Sequence, residues 1–280
     1  MTYKTILVHC DAGKAAPARI ELAASLAERH QAHLVGLHAR PPFQQPFYDT
    51  GPYALNLMLK EHQDALKESE EASQQAFAVA TKGKSVGSEW RSVDGSTVDL
   101  LIVHARYADL TVVGQNEPES PTRLPASPRL PENVALATGR GVLVVPFVGV
   151  RQPIGRDVML CWNASREAAR AATEALPLLK AASAVTVLIV EPTTSALGHG
   201  AERGADVATW LGRHGVKVTV QRDVAPDSDI GGVILSRAMD HGCDVIVMGV
   251  YGRSRLREVI LGGASRTLLS GMTVPLLMAH

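Results

Sequence analysis

The chain is one unit written twice, and that repeat limits what it can fold into more than any other feature. Ile6-Leu-Val-His-Cys-Asp11-Ala-Gly13 matches Val158-Met-Leu-Cys-Trp-Asn163-Ala-Ser165, and Asn163 stands 152 residues after Asp11. The same offset aligns Leu34–His38 with Thr186–Val190. Farther on, Ala108–Gly114 matches Cys243–Gly249, but Gly249 stands only 135 residues after Gly114. The first copy therefore holds about 17 extra residues between these blocks, placed in Pro41–Lys60, which is rich in Pro, Phe and Tyr. Repeats of this length indicate duplicated domains, and 280 residues suit two domains of roughly 140. The expected domains are 1–148 and 156–280, joined through Gly149-Val-Arg-Gln-Pro-Ile-Gly155.

Each copy alternates short apolar runs with helix-like stretches. In the second copy the runs are 157–162, 185–191, 216–223, 243–249 and 273–278. Between them lie helix-like stretches at Ser165–Ala181, Ala201–His214, Asp229–His241 and Leu256–Ser270. Ser165 is placed as an N-cap, ahead of a face carrying Ala168, Ala172, Ala175 and Leu179. Strands apolar throughout belong to a parallel sheet covered on both faces. Alternating βα units give a doubly wound α/β fold with right-handed crossovers, whose ligands bind at the carboxyl ends of the strands.

Gly249-Val-Tyr-Gly252, nine further residues, then Gly262-Gly-Ala-Ser265 follow the fourth run of the second copy. Glycines here permit φ > 0 and close approach of a ligand, and free N–H groups at a helix start favour an anion such as phosphate. With the Asp/Asn-x-Ser/Gly start of each half and the repeat, this Gly-x2-Gly-x9-Gly pattern makes the chain resemble a tandem universal stress protein over essentially its whole length. The resemblance implies two five-stranded domains of the adenine-nucleotide alpha-hydrolase-like kind, strand order 3-2-1-4-5. It also implies ATP, possibly with Mg²⁺, bound in the second domain. The contacts it carries over are Asn163, Val190, Met248, Gly249, Tyr251, Gly252, Gly262, Gly263, Ala264 and Ser265, with Arg253 as a basic partner in the loop. Asn163 stands where the family has an acid, and Gly263 where it has Ser or Thr. Trp162 either stacks on a base or fills the pocket. Arg253, Arg255 and Arg257 either face phosphate or begin a solvated helix.

The first half lacks the loop. Gly114 is followed by Gln-Asn-Glu-Pro-Glu-Ser-Pro-Thr-Arg-Leu-Pro-Ala-Ser-Pro, with no second glycine. Glu117 and Glu119 would repel phosphate, and prolines remove N–H donors. Copy one therefore reads as a degenerate domain, structural or binding a different ligand beside 41–60. His9, His38 and Cys10 lie at strand ends, either as core residues or as a metal set. His62 and His104 read as surface residues. Gly-x-Ser-x-Gly, His-Glu-x-x-His and the P-loop pattern are absent, and Glu258, the acid nearest the loop, is placed on the last helix.

Lys+Arg and Asp+Glu both number 28, without the basic excess of a nucleic-acid binder. Cys10, Cys161 and Cys243 have no metal-like spacing and read as reduced thiols. No signal peptide or membrane span is expected, which suggests a soluble cytoplasmic protein. The apolar last strand invites pairing. In the family, fifth strands pair across a pseudo-twofold axis, so Gly141–Pro146 is the expected intramolecular partner, and a homodimer stays open. Three functions follow: a stress-response sensor or regulator that binds adenine nucleotide without being an enzyme, a slow ATPase or transferase, and a nucleotide-free scaffold or binder of another small molecule.

Overall fold

The computed structural model describes residues 2–45, 51–117, 124, 127–192, 204–225, 229–250, 252–255 and 258–280. The first half runs β1 (Thr5–His9), α1 (Ala16–His30), β2 (His33–Arg40), α2 (Gly51–Thr81), β3 (Ser88–Asp94), α3 (Thr97–Ala105), β4 (Leu110–Gly114), α4 (Leu130–Ala137) and β5 (Gly141–Val145). The second runs β6 (Asp157–Cys161), α5 (Arg166–Glu174), α6 (Leu176–Ala181), β7 (Ala184–Pro192), α7 (Ala205–Arg213), β8 (Val218–Ala225), α8 (Ile230–Asp240) and β9 (Val245–Gly249). It ends with β10 (Gly252–Arg255), β11 (Glu258–Leu261), α9 (Gly263–Gly271) and β12 (Leu276–Ala279).

Strands of both halves join one ten-stranded sheet, ordered β3-β2-β1-β4-β5-β12-β9-β6-β7-β8. Each half keeps the expected 3-2-1-4-5 order, and every pairing within this sheet is parallel except the seam. There β5 and β12 run antiparallel, with Leu276 opposite Val144, Leu277 opposite Leu143 and Met278 opposite Val142. All six are fully buried. The apolar edge of each half is thus closed by the other within the chain, as expected. Two clusters sandwich the sheet: Ile6, Val8, Leu160 and Val247 face one, Leu7, Met159, Ile246 and Leu276 the other. Period-two alternation sends successive side chains to opposite faces, so apolar residues at every position mean that helices cover both.

The helices fit their sequences with three differences. The stretch 165–181 is broken at Ala175, because Pro177, at the start of α6, lacks an N–H and its ring crowds the preceding turn. The extra residues of the first copy lengthen a helix: 51–60 form the start of α2, while 46–50 lie outside the described residues. The buried residues of α2, Ala65, Ser69, Ser73, Phe77 and Ala80, keep helical spacing. The helix expected over 256–270 needs correction: Leu256 itself lies outside the described residues, but 258–261 are strand. Residues 252–255 and 258–261 pair as antiparallel strands, with Arg253 opposite Ile260 and Ser254 opposite Val259, and the helix begins at Gly263. The β-branched pair Val259-Ile260 favours strand, and Gly262-Gly263 interrupts any helix from before. Glu258 and Arg253 therefore belong to hairpin strands rather than to the last helix.

A cavity at each switch point

Both halves carry a cavity at the carboxyl ends of their strands, where the order turns between the first and fourth strand. Their volumes are similar, 130 Å³ in the second half and 140 Å³ in the first, so their linings rather than their room distinguish them.

In the second half, β6 ends at Cys161 and its path is continued by the Trp162 N–H, which donates to the Leu188 carbonyl at 2.8 Å. The Asn163 side-chain oxygen accepts the Ser165 N–H at 3.1 Å, a turn that Asn forms readily. Ala164 takes a left-handed φ of 58°, and the Ser165 hydroxyl accepts the Ala168 N–H at 3.1 Å, capping α5 as expected. This loop brings Trp162 and Asn163 to the cavity beside Leu188 and Val190 of β7, Met248 and Gly249 of β9, and Ala264 of α9. Ile230 and Ile234, one turn apart on α8, close the far wall.

Five of the residues expected at this site, Asn163, Val190, Met248, Gly249 and Ala264, line it together. Gly262 and Gly263 form the start of α9 beside it, and Ser265 is buried in its first turn. Gly252 and Arg253 lie in β10, and Tyr251 lies outside the described residues. Trp162 is at the cavity wall, whereas Leu188, Ile230 and Ile234 escaped the sequence reading. A pair of isoleucines at i and i+4 has the same signature whether it faces core or cavity.

The glycines work differently from expectation. Gly249 is not among the residues of positive φ, and Gly262 has φ −61°. What Gly249 supplies is space. A Cβ there would stand 2.4 Å from the Ala168 nitrogen and 2.5 Å from the Glu167 carbonyl carbon, so β9 packs directly on the start of α5. α9, by contrast, starts without a side-chain cap. The first N–H groups of a helix have no intrahelical partner and carry partial positive charge. Those of α9 stand beside the cavity, and a methyl added at Gly263 would meet nothing within 4 Å.

The first-half cavity differs in its chemistry. The Arg19 guanidinium donates to Asp11 Oδ2 at 2.7 Å and, through Nε, to the His9 carbonyl at 3.0 Å. The Gly13 N–H donates to Asp11 Oδ1 at 2.8 Å, and His9 Nδ1 lies 3.3 Å from Oδ2. Burial pushes the Asp11 carboxyl up, but Arg19, His9 and the Gly13 N–H together outweigh it and hold the carboxyl at about 2. Burial pushes the His9 imidazole down to about 4, so it is neutral at pH 7. The helix here, α4, begins Leu130-Pro131-Glu132. It offers an acid and a missing N–H where α9 offers N–H donors.

The remaining chemical candidates resolve simply. Among the described residues no group of His, Cys, Asp and Glu is arranged to hold a metal. Burial pushes the Cys10 and Cys161 thiols up to about 12 and Cys243 to about 11, which removes them as nucleophiles at neutral pH. His62 and His104, expected at the surface, are half-buried: His62 Nε2 lies 3.0 Å from the Pro41 carbonyl and His104 Nδ1 accepts from Arg91 at 3.0 Å. No described helix is long and apolar enough to cross a membrane.

A family model described as the universal stress protein family matches residues 2–146 and again 156–280. Among solved structures, a universal stress protein from Archaeoglobus fulgidus DSM 4304 superposes with a TM-score of 0.70 at 16% identity, covering 98% of this chain and 95% of that one. A functionally unknown protein from Pseudomonas aeruginosa PAO1 superposes with a TM-score of 0.59 at 17% identity, covering 99% and 92%. At such identities these likenesses speak to the fold. No curated protein matches the chain.

Proposed function

The chain belongs to the universal stress protein family, and from that premise we propose that its second half binds ATP or a related adenine nucleotide, as a stress-response sensor or regulator with little or no turnover. The observation that carries this reading is the pairing of an apolar cavity with an uncapped helix start. Trp162, Leu188, Val190, Ile230, Ile234 and Met248 offer a flat base a dry slot, and Asn163 offers it or its ribose a polar partner. The first N–H groups of α9, beside the cavity and without a side-chain cap among the described residues, would receive the phosphates. Gly252, Arg253 and Tyr251 belong to the same reading as expected contacts, Tyr251 lying outside the described residues. None of the described lining residues is an acid or a histidine, so the cavity supplies no general base to activate water. A magnesium ion would enter on the phosphates, since no described carboxylate lines the cavity to bind it.

A second reading is favoured by the same wall. With Asn163 as the polar side chain among the described lining residues, an uncharged apolar molecule also suits the slot. Isothermal titration separates the two. Binding of ATP–Mg²⁺ to the intact protein, lost in Gly252→Asp, is the expected result. No heat at millimolar nucleotide would remove the nucleotide reading and leave the second.

A further inference from the structure

One side chain of the first half ends on the helix that starts at the second cavity. Gln115 follows β4 and lines the first cavity. Its side-chain Nε2 donates to the Leu269 carbonyl at 2.7 Å and reaches the Ser270 carbonyl at 3.5 Å. Its Oε1 accepts the Phe147 N–H at 3.2 Å. Carbonyls only accept and a backbone N–H only donates, so these partners fix which way the amide is turned. Leu269 and Ser270 belong to the last turn of α9, whose carbonyls have no partner within the helix. The first half therefore caps the C-terminal end of α9.

The repeat shows that this reach is peculiar to the first half. Val250 stands 135 residues after Gln115, the offset that aligns β4 with β9. The Val250 N–H donates to the Ala279 carbonyl at 2.8 Å, as the Gln115 N–H does to the Val145 carbonyl at 2.8 Å. The two positions thus share their backbone role, yet Val250 is apolar and fully buried. The strand end is satisfied by a valine, so the amide of Gln115 answers to α9 rather than to the sheet. α9 is also held from the side: a methyl at Gly231 would stand 2.5 Å from Thr267 Cβ, so α8 packs closely on its middle. At its other end Gly262 supplies no side-chain cap. A helix of nine residues is stiff over its length of about 13 Å, so a pin at its C-terminal end sets where the N–H groups of Gly263–Ser265 point.

We propose that Gln115 is a positioning residue for the second-half site, holding α9 so that its first N–H groups face the cavity. The inference rests on the nucleotide reading for its ligand, and it makes the second-half site depend on the first half. The test compares the intact protein with Gln115→Leu, which keeps the bulk and loses both side-chain hydrogen bonds. Each is titrated with ATP–Mg²⁺ and with adenosine, and the amide ¹H–¹⁵N spectrum of each is recorded without ligand. Gln115→Leu should weaken ATP–Mg²⁺ roughly fivefold by turning the helix start away from the phosphates. Adenosine carries no phosphate, so its affinity should be unchanged, whereas general loosening of the fold would weaken both. The ligand-free amide signals of Gly263, Ala264 and Ser265 should shift in the variant. Gln115→Glu keeps an acceptor for the Phe147 N–H but, when ionised, has no donor for the carbonyls. It should therefore match Gln115→Leu, which keeps the proposal testable should the leucine variant misfold. If the intact protein binds no nucleotide, the nucleotide reading falls and the amide signals alone decide for Gln115. Unmoved amide signals in both variants overturn the proposal. So does an equal loss of ATP and adenosine, or an ATP affinity that both variants leave intact.

Discussion

Replacing Gly249 with alanine should destabilise the protein through packing rather than backbone conformation. The added Cβ would stand 2.4 Å from the Ala168 nitrogen, 2.5 Å from the Glu167 carbonyl carbon and 2.8 Å from its oxygen. Carbon in ordinary contact sits about 3.5 Å from its neighbours, so β9 and α5 must separate by about 1 Å. The obstructing atoms are backbone, which no rotamer change can remove. Overpacking a well-filled interior costs about 1–3 kcal/mol, and this geometry places Gly249→Ala near the top of that range, about 3 kcal/mol. For a chain of this size that is a fall of roughly 6–12 °C in Tm, read by calorimetry. Gly263→Ala is the control: nothing lies within 4 Å of its Cβ position and it sits in the first turn of α9, so its Tm should hold or rise slightly. Equal Tm values for Gly249→Ala and the unaltered protein would refute the packing argument. Displacing α5 also moves the Trp162–Ser165 loop, so Gly249→Ala should weaken any ligand of the second cavity, whereas Gly263→Ala keeps the N–H groups of α9.

The seam offers another test. Leu277 is fully buried opposite Leu143, so Leu277→Ala should cost about 2–5 kcal/mol. The two halves should still unfold together, with fluorescence and circular dichroism tracing one urea transition. The pH dependence follows from His9, whose imidazole is pushed by burial from 6.5 down to about 4. The unfolded chain binds a proton between these values that the folded one refuses, so stability is level above pH 6.5 and falls as the pH drops towards 4. The loss reaches about 3 kcal/mol for His9, and His30, pushed down by burial to about 4, adds in the same direction. His9→Gln should flatten that slope in urea titrations, and an unchanged slope would show that His9 is accessible to protons.

Much of this architecture was legible because the repeat places each strand twice. Apolar runs such as Ile6–Val8 and Val158–Leu160 have one reading in an alternating βα chain, and the strand order and the seam followed from the family resemblance. What the sequence hid was local. Pro177 breaks a helix that the alanine periodicity carries through without interruption. Val259-Ile260 turns an expected helix start into a hairpin, because β preference over four residues outweighs a weak helical period. Around the second cavity, Asn163 and Gly249, next to turn signals, line the wall as read from the sequence, while Ile230 and Ile234 gave no signal, since a cavity wall and a core face share one pattern. The positive φ expected of Gly249 is absent, and its need for room beside Glu167 and Ala168 is a contact between elements far apart in sequence.

The most direct test of nucleotide binding uses Trp162, which lines the second cavity while Trp90 and Trp210 lie elsewhere. In a Trp90→Phe, Trp210→Phe background, Trp162 is the remaining tryptophan. Titration with ATP–Mg²⁺ should change its emission saturably, at one nucleotide per chain. A flat titration, with the protein folded by circular dichroism, would contradict nucleotide binding in the second half.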